Sequence, residues 1–178
     1  MKECICIDLE TAGLNPTLHE VVEVSWWCLD TGERDTFVPS HSLEHFEGAA
    51  LDLNGYYERG LWQQSQWDED GEALRRFHAA LTGRLIVGSN PGFDVSFLKP
   101  LFTRNGLGLA PLAYHPLDVP TYACGVLGRP IADRVGLTQL ARILGVAPGD
   151  HSAAEDVRAC GECLIELQNR ANYLRTGQ

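Results

Sequence analysis

The stretch CICIDLETAGLNP, residues 4–16, decides the fold. Its first half alternates, with Ile5, Ile7 and Leu9 on one face and Cys4, Cys6 and Asp8 on the other, which is the period of a β-strand. Such an apolar strand belongs inside a sheet, yet it carries Asp8 and Glu10 with one residue between them. On a strand these two point the same way, roughly 7 Å apart along the chain. Leu14-Asn15-Pro16 reads as a turn, so the pair sits at the strand's C-terminal end, where ligand sites of α/β sheets cluster. Buried like charges repel, and each is costly to strip of water. A divalent cation removes both difficulties. For the pair taken alone, an ordinary exposed strand end is the alternative.

Outward from this stretch, 21–29 and 34–38 read as two more strands. Asp30-Thr31-Gly32-Glu33 joins them in a hairpin-like turn, giving an antiparallel meander of three strands. A short helix is expected over 53–59. The period of 68–81 predicts an amphipathic helix with Leu74, Phe77 and Leu81 inward. Residues 85–88 form a short apolar strand. A helix follows from Pro91 through Phe93, Phe97 and Leu101, with a kink at Pro100, which cannot donate to the Ser96 carbonyl. A strand at 113–117, a helix from Val119, a polar loop over 128–134, and helices over 137–144 and 153–174 complete the order. Three strands first, then strands alternating with helices, predict an α/β fold with a mixed sheet and helices on both faces. No repeat, low-complexity tract or linker divides residues 1–178, so a single domain is expected.

The composition is that of a globular protein, with 44% hydrophobic and 21% charged residues in a chain of 178. No apolar run is long enough to span a bilayer. Met1-Lys2-Glu3 leads straight into a strand rather than a signal peptide, so a cytoplasmic location is expected. Cys4, Cys6, Cys28 and Cys124 read as small buried hydrophobes. Cys160 and Cys163 form a C-x-x-C, but no second pair at finger spacing accompanies it. Both fall on one helix face with Asp156, Leu164 and Leu167 and are read as core. The formal net charge of −10 argues against a broad groove for long duplex nucleic acid, and leaves room for one small site.

Two further segments carry chemistry. In Ser89-Asn90-Pro91-Gly92-Phe93-Asp94, Asn90 can cap a helix whose first position suits Pro91. Asp94 then lies in the first turn, where the helix dipole favours a negative charge. In His151-Ser152-Ala153-Ala154-Glu155-Asp156, Ser152 and Glu155 have capping-box spacing, so a helix starts at Ala153. His151 is just outside it, placed to take a proton from water, and Asp156 faces inward.

Together and in this order the segments resemble the DEDDh family of 3′–5′ exonucleases, the group of the proofreading epsilon subunit, ribonuclease T and oligoribonuclease. The resemblance rests on D-x-E-T-x-G-L at 8–14, N-x-x-F-D-x-x-F-L at 90–98 and H-x-A-x-x-D at 151–156. It implies a ribonuclease H-like fold with three antiparallel strands first. It implies that Asp8, Glu10 and Asp156 hold a catalytic Mg²⁺ or Mn²⁺, that Asp8 and Asp94 reach a second ion, and that His151 is the general base. Thr11, Ala12, Gly13 and Leu14 would meet the terminal sugar and base, with Ala12 standing where the family often has Thr. Asn90 and Phe93 would line the pocket, although Phe93 equally suits core packing.

Trp62, Trp67, Tyr56 and Tyr57 are candidates for base stacking or for covering a core edge. Arg129 and Arg134 are candidates for phosphate contacts or plain surface charge. The expected activity is hydrolysis at single-stranded DNA 3′ ends, releasing nucleoside 5′-monophosphates. A polymerase is a further partner that the resemblance suggests. RNA trimming by the same chemistry is the alternative, since no residue that reads a 2′-hydroxyl is identifiable. A binding module without turnover is the reading from another class.

Overall fold

The structure is a computed structural model that describes residues 3–64, 71–113 and 115–176. Five strands form one sheet: β1 (Cys4–Thr11), β2 (Val21–Cys28), β3 (Arg34–Phe37), β4 (Leu85–Gly88) and β5 (Leu117–Asp118). Their order is β3-β2-β1-β4-β5. β1, β2 and β3 pair antiparallel, while β4 and β5 run parallel to β1. The helices are α1 (Gly48–Leu53), α2 (Leu61–Gln64), α3 (Glu72–Leu81), α4 (Pro91–Arg104), α5 (Val119–Val126), α6 (Leu137–Leu144) and α7 (Ala153–Thr176).

The alternation of β1 divides the core. Ile5, Ile7 and Leu9 pack with α3 and α4 through Phe77, Leu81, Phe97 and Phe102. Cys4 and Cys6 pack on the other face with α5, α6 and α7 through Val119, Leu140, Cys160 and Leu164. Asp8 and Glu10 continue that second face, so they point toward α7 as the mixed sheet with helices on both faces requires. Cys160 and Cys163 are both buried in this core, with free thiols. Burial pushes the Cys163 thiol up to about 11, as expected of a core residue rather than a reactive one.

Several boundaries depart from expectation. The short helix forms at Gly48–Leu53 rather than over 53–59, because Gly55 takes a left-handed conformation (φ 64°) that ends it. The strand expected at 113–117 shrinks to Leu117–Asp118. Pro116 has no N–H to give to β4. α3 begins at Glu72 behind left-handed Gly71, and the expected start at Asp68 lies outside the described residues. The polar loop over 128–134 contains a 3₁₀ turn, Ile131–Asp133. α4 continues through Pro100 to Arg104. Among the described residues no helix is long and apolar enough to cross a membrane.

Gly161 tests the packing of α7 on the sheet. A Cβ there would stand 2.6 Å from the Trp27 ring, whereas one at Gly125 in α5 would meet nothing within 4 Å. In urea denaturation, Gly161→Val is expected to lower the unfolding free energy by about 1–3 kcal/mol through overpacking. Gly125→Ala is expected to raise it by about 0.5–1 kcal/mol through helix propensity.

Candidate active site

The site forms where β1 outruns β4. The two pair only from Cys4 to Cys6, opposite Leu85 to Val87. Beyond Cys6 the β1 edge is open, and β4 turns away into α4. Gly88 makes that turn close: a Cβ there would stand 3.3 Å from the Ile7 carbonyl oxygen. The Leu9 N–H, left without a strand partner, donates to Asp94 Oδ1 at 2.8 Å. That bond holds the 3%-exposed Asp94 against the end of β1.

On the other side of the opening, α7 brings Asp156 to the pair on β1. One oxygen each from Asp8, Glu10 and Asp156 lie within 4.8 Å of one another. Oxygen-only donors at this spacing suit a hard divalent cation. The electrostatics agree. Burial, followed by Asp94, Glu10, Asp156 and Glu23, raises Asp8 well above the ordinary carboxylate range. Burial with Glu23 and Asp156 pushes Glu10 up to about 8, against an opposing pull from Arg59. Burial takes Asp94 to about 7, partly offset by the Leu9 N–H. Asp156 is raised by burial and relieved by His151. Neighbouring carboxylates forced upward in this way are the mark of a site short of positive charge.

His151 stands exposed at the mouth of α7 with φ 67°, and its backbone N–H helps to hold the Asp156 carboxylate. It lines a cleft of about 240 Å³ with Asn54, Arg59 and Ser152. Only half of the expected capping box forms. The Glu155 N–H donates to Ser152 Oγ at 3.4 Å, but the Glu155 carboxylate pairs with Arg158.

The loop from Thr11 to Leu14 is braced from beneath. Thr11 Oγ1 donates to the Gly13 carbonyl at 2.8 Å, and the Ala12 N–H donates to the Glu20 carbonyl at 2.8 Å. Gly13 lies against the buried His19 ring, which leaves no room for a Cβ. Leu14 is consequently presented outward, 71% exposed.

Other candidates are placed differently. Asn90 is left-handed (φ 61°) and makes no side-chain cap; its N–H donates to Asp118 Oδ1 at 2.7 Å instead. Phe93 is half-buried and packs on Phe97, centroids 5.0 Å apart. Tyr56 is buried, its hydroxyl 2.7 Å from His41 Nε2, so it covers a core edge and is closed to base stacking. Tyr57 and Trp62 are exposed, and Trp67 lies outside the described residues. Arg134 pairs with Asp118 at 3.7 Å, and Arg129 is half-buried.

Sequence reasoning missed Glu23, buried and directly opposite Glu10 in the β2 ladder. Its signal was available as a lone acid inside the apolar run Val21-Val22-Glu23-Val24. It also missed Arg59, which pairs with Glu23.

The described geometry has counterparts. A family model described as an exonuclease matches residues 5–164. The chain belongs to the exonuclease family. Its three motif segments, at 8–14, 90–98 and 151–156, lie within the matched residues. Among curated relatives, DNA polymerase III PolC-type of Lactococcus lactis is 26% identical over 180 residues, 97% of this chain and 10% of the relative. Ribonuclease T of Shewanella denitrificans is 25% identical over 188 residues, 93% of this chain and 80% of its own. E. coli exonuclease I, solved in complex with a dT13 oligonucleotide, superposes with a TM-score of 0.75 at 18% identity, over 98% of this chain and 42% of that one. At that identity the last likeness shows the fold alone. The chain thus spans about a tenth of the polymerase and under half of exonuclease I.

The raised carboxylates set a pH dependence. Their folded pKa values lie above those of the unfolded chain, so the metal-free fold binds more protons between about pH 4.5 and 8. Stability from this source is present below that window and lost as pH rises through it. In EDTA, the melting temperature is expected to fall from pH 5 to pH 8, and millimolar Mn²⁺ is expected to remove the fall by linkage. Melting curves with and without Mn²⁺ across this range are the check; a flat profile in EDTA contradicts the electrostatic reading.

Proposed function

We propose that this chain is one exonuclease domain that trims single-stranded DNA from its 3′ end with Mg²⁺ or Mn²⁺, releasing nucleoside 5′-monophosphates. The convergence of Asp8, Glu10 and Asp156 on one point, with Asp94 tied to the same strand end, carries this reading. Asp8, Glu10 and Asp156 would hold one divalent cation, and Asp8 and Asp94 would serve a second. When bound, such cations offset the negative charge of the phosphate and ease ionisation of water.

The chain's own residues do the rest. Leu14 and the braced loop from Thr11 to Gly13 would seat the terminal nucleoside, and Asn90 and Phe93 would border its pocket. The His151 imidazole takes the proton of the attacking water. The water oxygen bonds to phosphorus, the bond to the preceding 3′-oxygen breaks, and that oxygen takes up a proton. A net charge of −10 is compatible with this because only a few nucleotides need to be gripped, and divalent cations reverse the local sign.

The PolC-type relatives favour DNA, with proofreading beside a polymerase as the associated role. The likeness to ribonuclease T, which the chain spans over 80% of that relative, favours RNA ends as the second reading.

Asp8→Asn is expected to abolish Mg²⁺-dependent trimming while the protein stays folded; degradation of a 5′-labelled oligonucleotide at the parental rate would sink the metal assignment. His151→Ala is expected to slow turnover by about 10²–10⁴-fold and to leave Mn²⁺ binding by calorimetry intact. Matched DNA and RNA oligonucleotides, assayed in parallel for product monophosphates, decide the substrate. Faster trimming of RNA would replace the DNA reading with the RNA one.

A further inference from the structure

We infer that Glu23 is a positioning residue for the nuclease site: clamped by Arg59, its carboxylate fixes the start of α7 so that Asp156 and the His151 loop meet Asp8 and Glu10. The inference rests on the metal-site reading above.

Glu23 is the third residue of β2, across the ladder from Glu10, and is 3% exposed. A carboxylate so placed adds one more negative charge to a crowded site, and burial makes it costly unless it is partnered. Both of its oxygens are engaged. Oε2 accepts the N–H of Ala153 at 3.0 Å, and Oε1 takes the Arg59 guanidinium.

Ala153 is the first residue of α7. The first N–H groups of a helix have no partner within it, and the helix dipole favours an anion there. Ser152, the local cap, serves only the Glu155 N–H. Glu23 therefore caps α7 from the sheet, 130 residues away along the chain. Asp156 follows three residues later, and His151 precedes Ala153 by two, so one bond sets the place of both.

Arg59 extends the clamp. Its Nη1 donates to the Asn54 carbonyl at 3.0 Å, and Asn54 Nδ2 donates to the Thr11 carbonyl at 3.2 Å. A continuous line of hydrogen bonds thus runs from the start of α7, through Glu23, Arg59 and Asn54, to the loop that presents Leu14. Glu23, Arg59 and Asn54 thereby tie the acid-base side of the site to the side that seats the terminal nucleotide.

The test uses the full chain with Mn²⁺ alone as the binding probe, followed by calorimetry, and with steady-state trimming of a labelled single-stranded oligonucleotide. Glu23→Gln keeps the shape but removes the charge that holds Arg59. It is expected to weaken Mn²⁺ binding at least ~10-fold, as loss of a residue supporting metal ligands does. It is also expected to lower kcat with KM for the oligonucleotide nearly unchanged. Arg59→Met is expected to act in the same direction from the other partner, and Arg59→Lys to restore part of the loss by keeping the charge. These two variants carry the test if Glu23→Gln does not fold. A lower melting temperature with parental Mn²⁺ affinity and kcat, measured well below melting, would show a merely structural pair and overturn the inference. A parent protein that binds no Mn²⁺ would overturn the metal-site reading and this inference with it.

Discussion

Crowding of negative charge at the end of one central strand is the constraint on which this molecule turns. Asp8 and Glu10 leave β1 on the face that α7 covers, Asp156 comes down from α7, and Asp94 arrives from α4 on the other side of the sheet. Burial raises all four, and repulsion from neighbouring carboxylates adds to it at Asp8 and Glu10. A fold keeps such an arrangement only where the surrounding packing outweighs it. Here the two cores on either side of β1 do so, with Ile5 and Ile7 held by one set of helices and Cys4 and Cys6 by the other.

The crevice itself is a product of strand direction. β2 runs antiparallel to β1 and follows it to its last residue, Thr11, with a register shift between Glu10 and Thr11 beside the site. β4 runs parallel and leaves early, because its chain must turn into α4. The unequal lengths expose the Leu9 N–H, and Asp94 satisfies it. A backbone donor that would otherwise be orphaned thereby aims a site carboxylate. Asp118 does similar work nearby: it accepts the Asn90 N–H at 2.7 Å and caps α5 through the Thr121 N–H. The β4–α4 turn is anchored without help from the Asn90 side chain.

Where local reading failed or left alternatives open, a competing local or tertiary demand explains the outcome. The helix expected over 53–59 meets Gly55, whose left-handed backbone ends the helix before it can pass. Tyr56, a candidate platform for bases, is drawn inward because its hydroxyl finds His41 and its ring joins the small cluster around Leu51 and Leu61. Phe93 is half-buried and packs on Phe97 and the core beneath it. Ser152 and Glu155 have the spacing of a reciprocal cap, yet Arg158 claims the Glu155 carboxylate, and the helix start is secured from β2 instead.

The amino-acid sequence alone determined the alternation that makes β1 a two-faced central strand, the same-side pairing of Asp8 and Glu10, and the helix starts that place Asp94 and Asp156 in first turns. These depend on periodicity and capping chemistry, which act between near neighbours and can be read from them. Only the tertiary structure decided that Asp156 closes on the β1 pair, that Asp94 is tied to Leu9, and that Glu23 and Arg59 hold α7 in place. Those contacts join segments 85 and 130 residues apart. Such contacts are fixed by the packing of sheet against helices and leave no trace in local spacing.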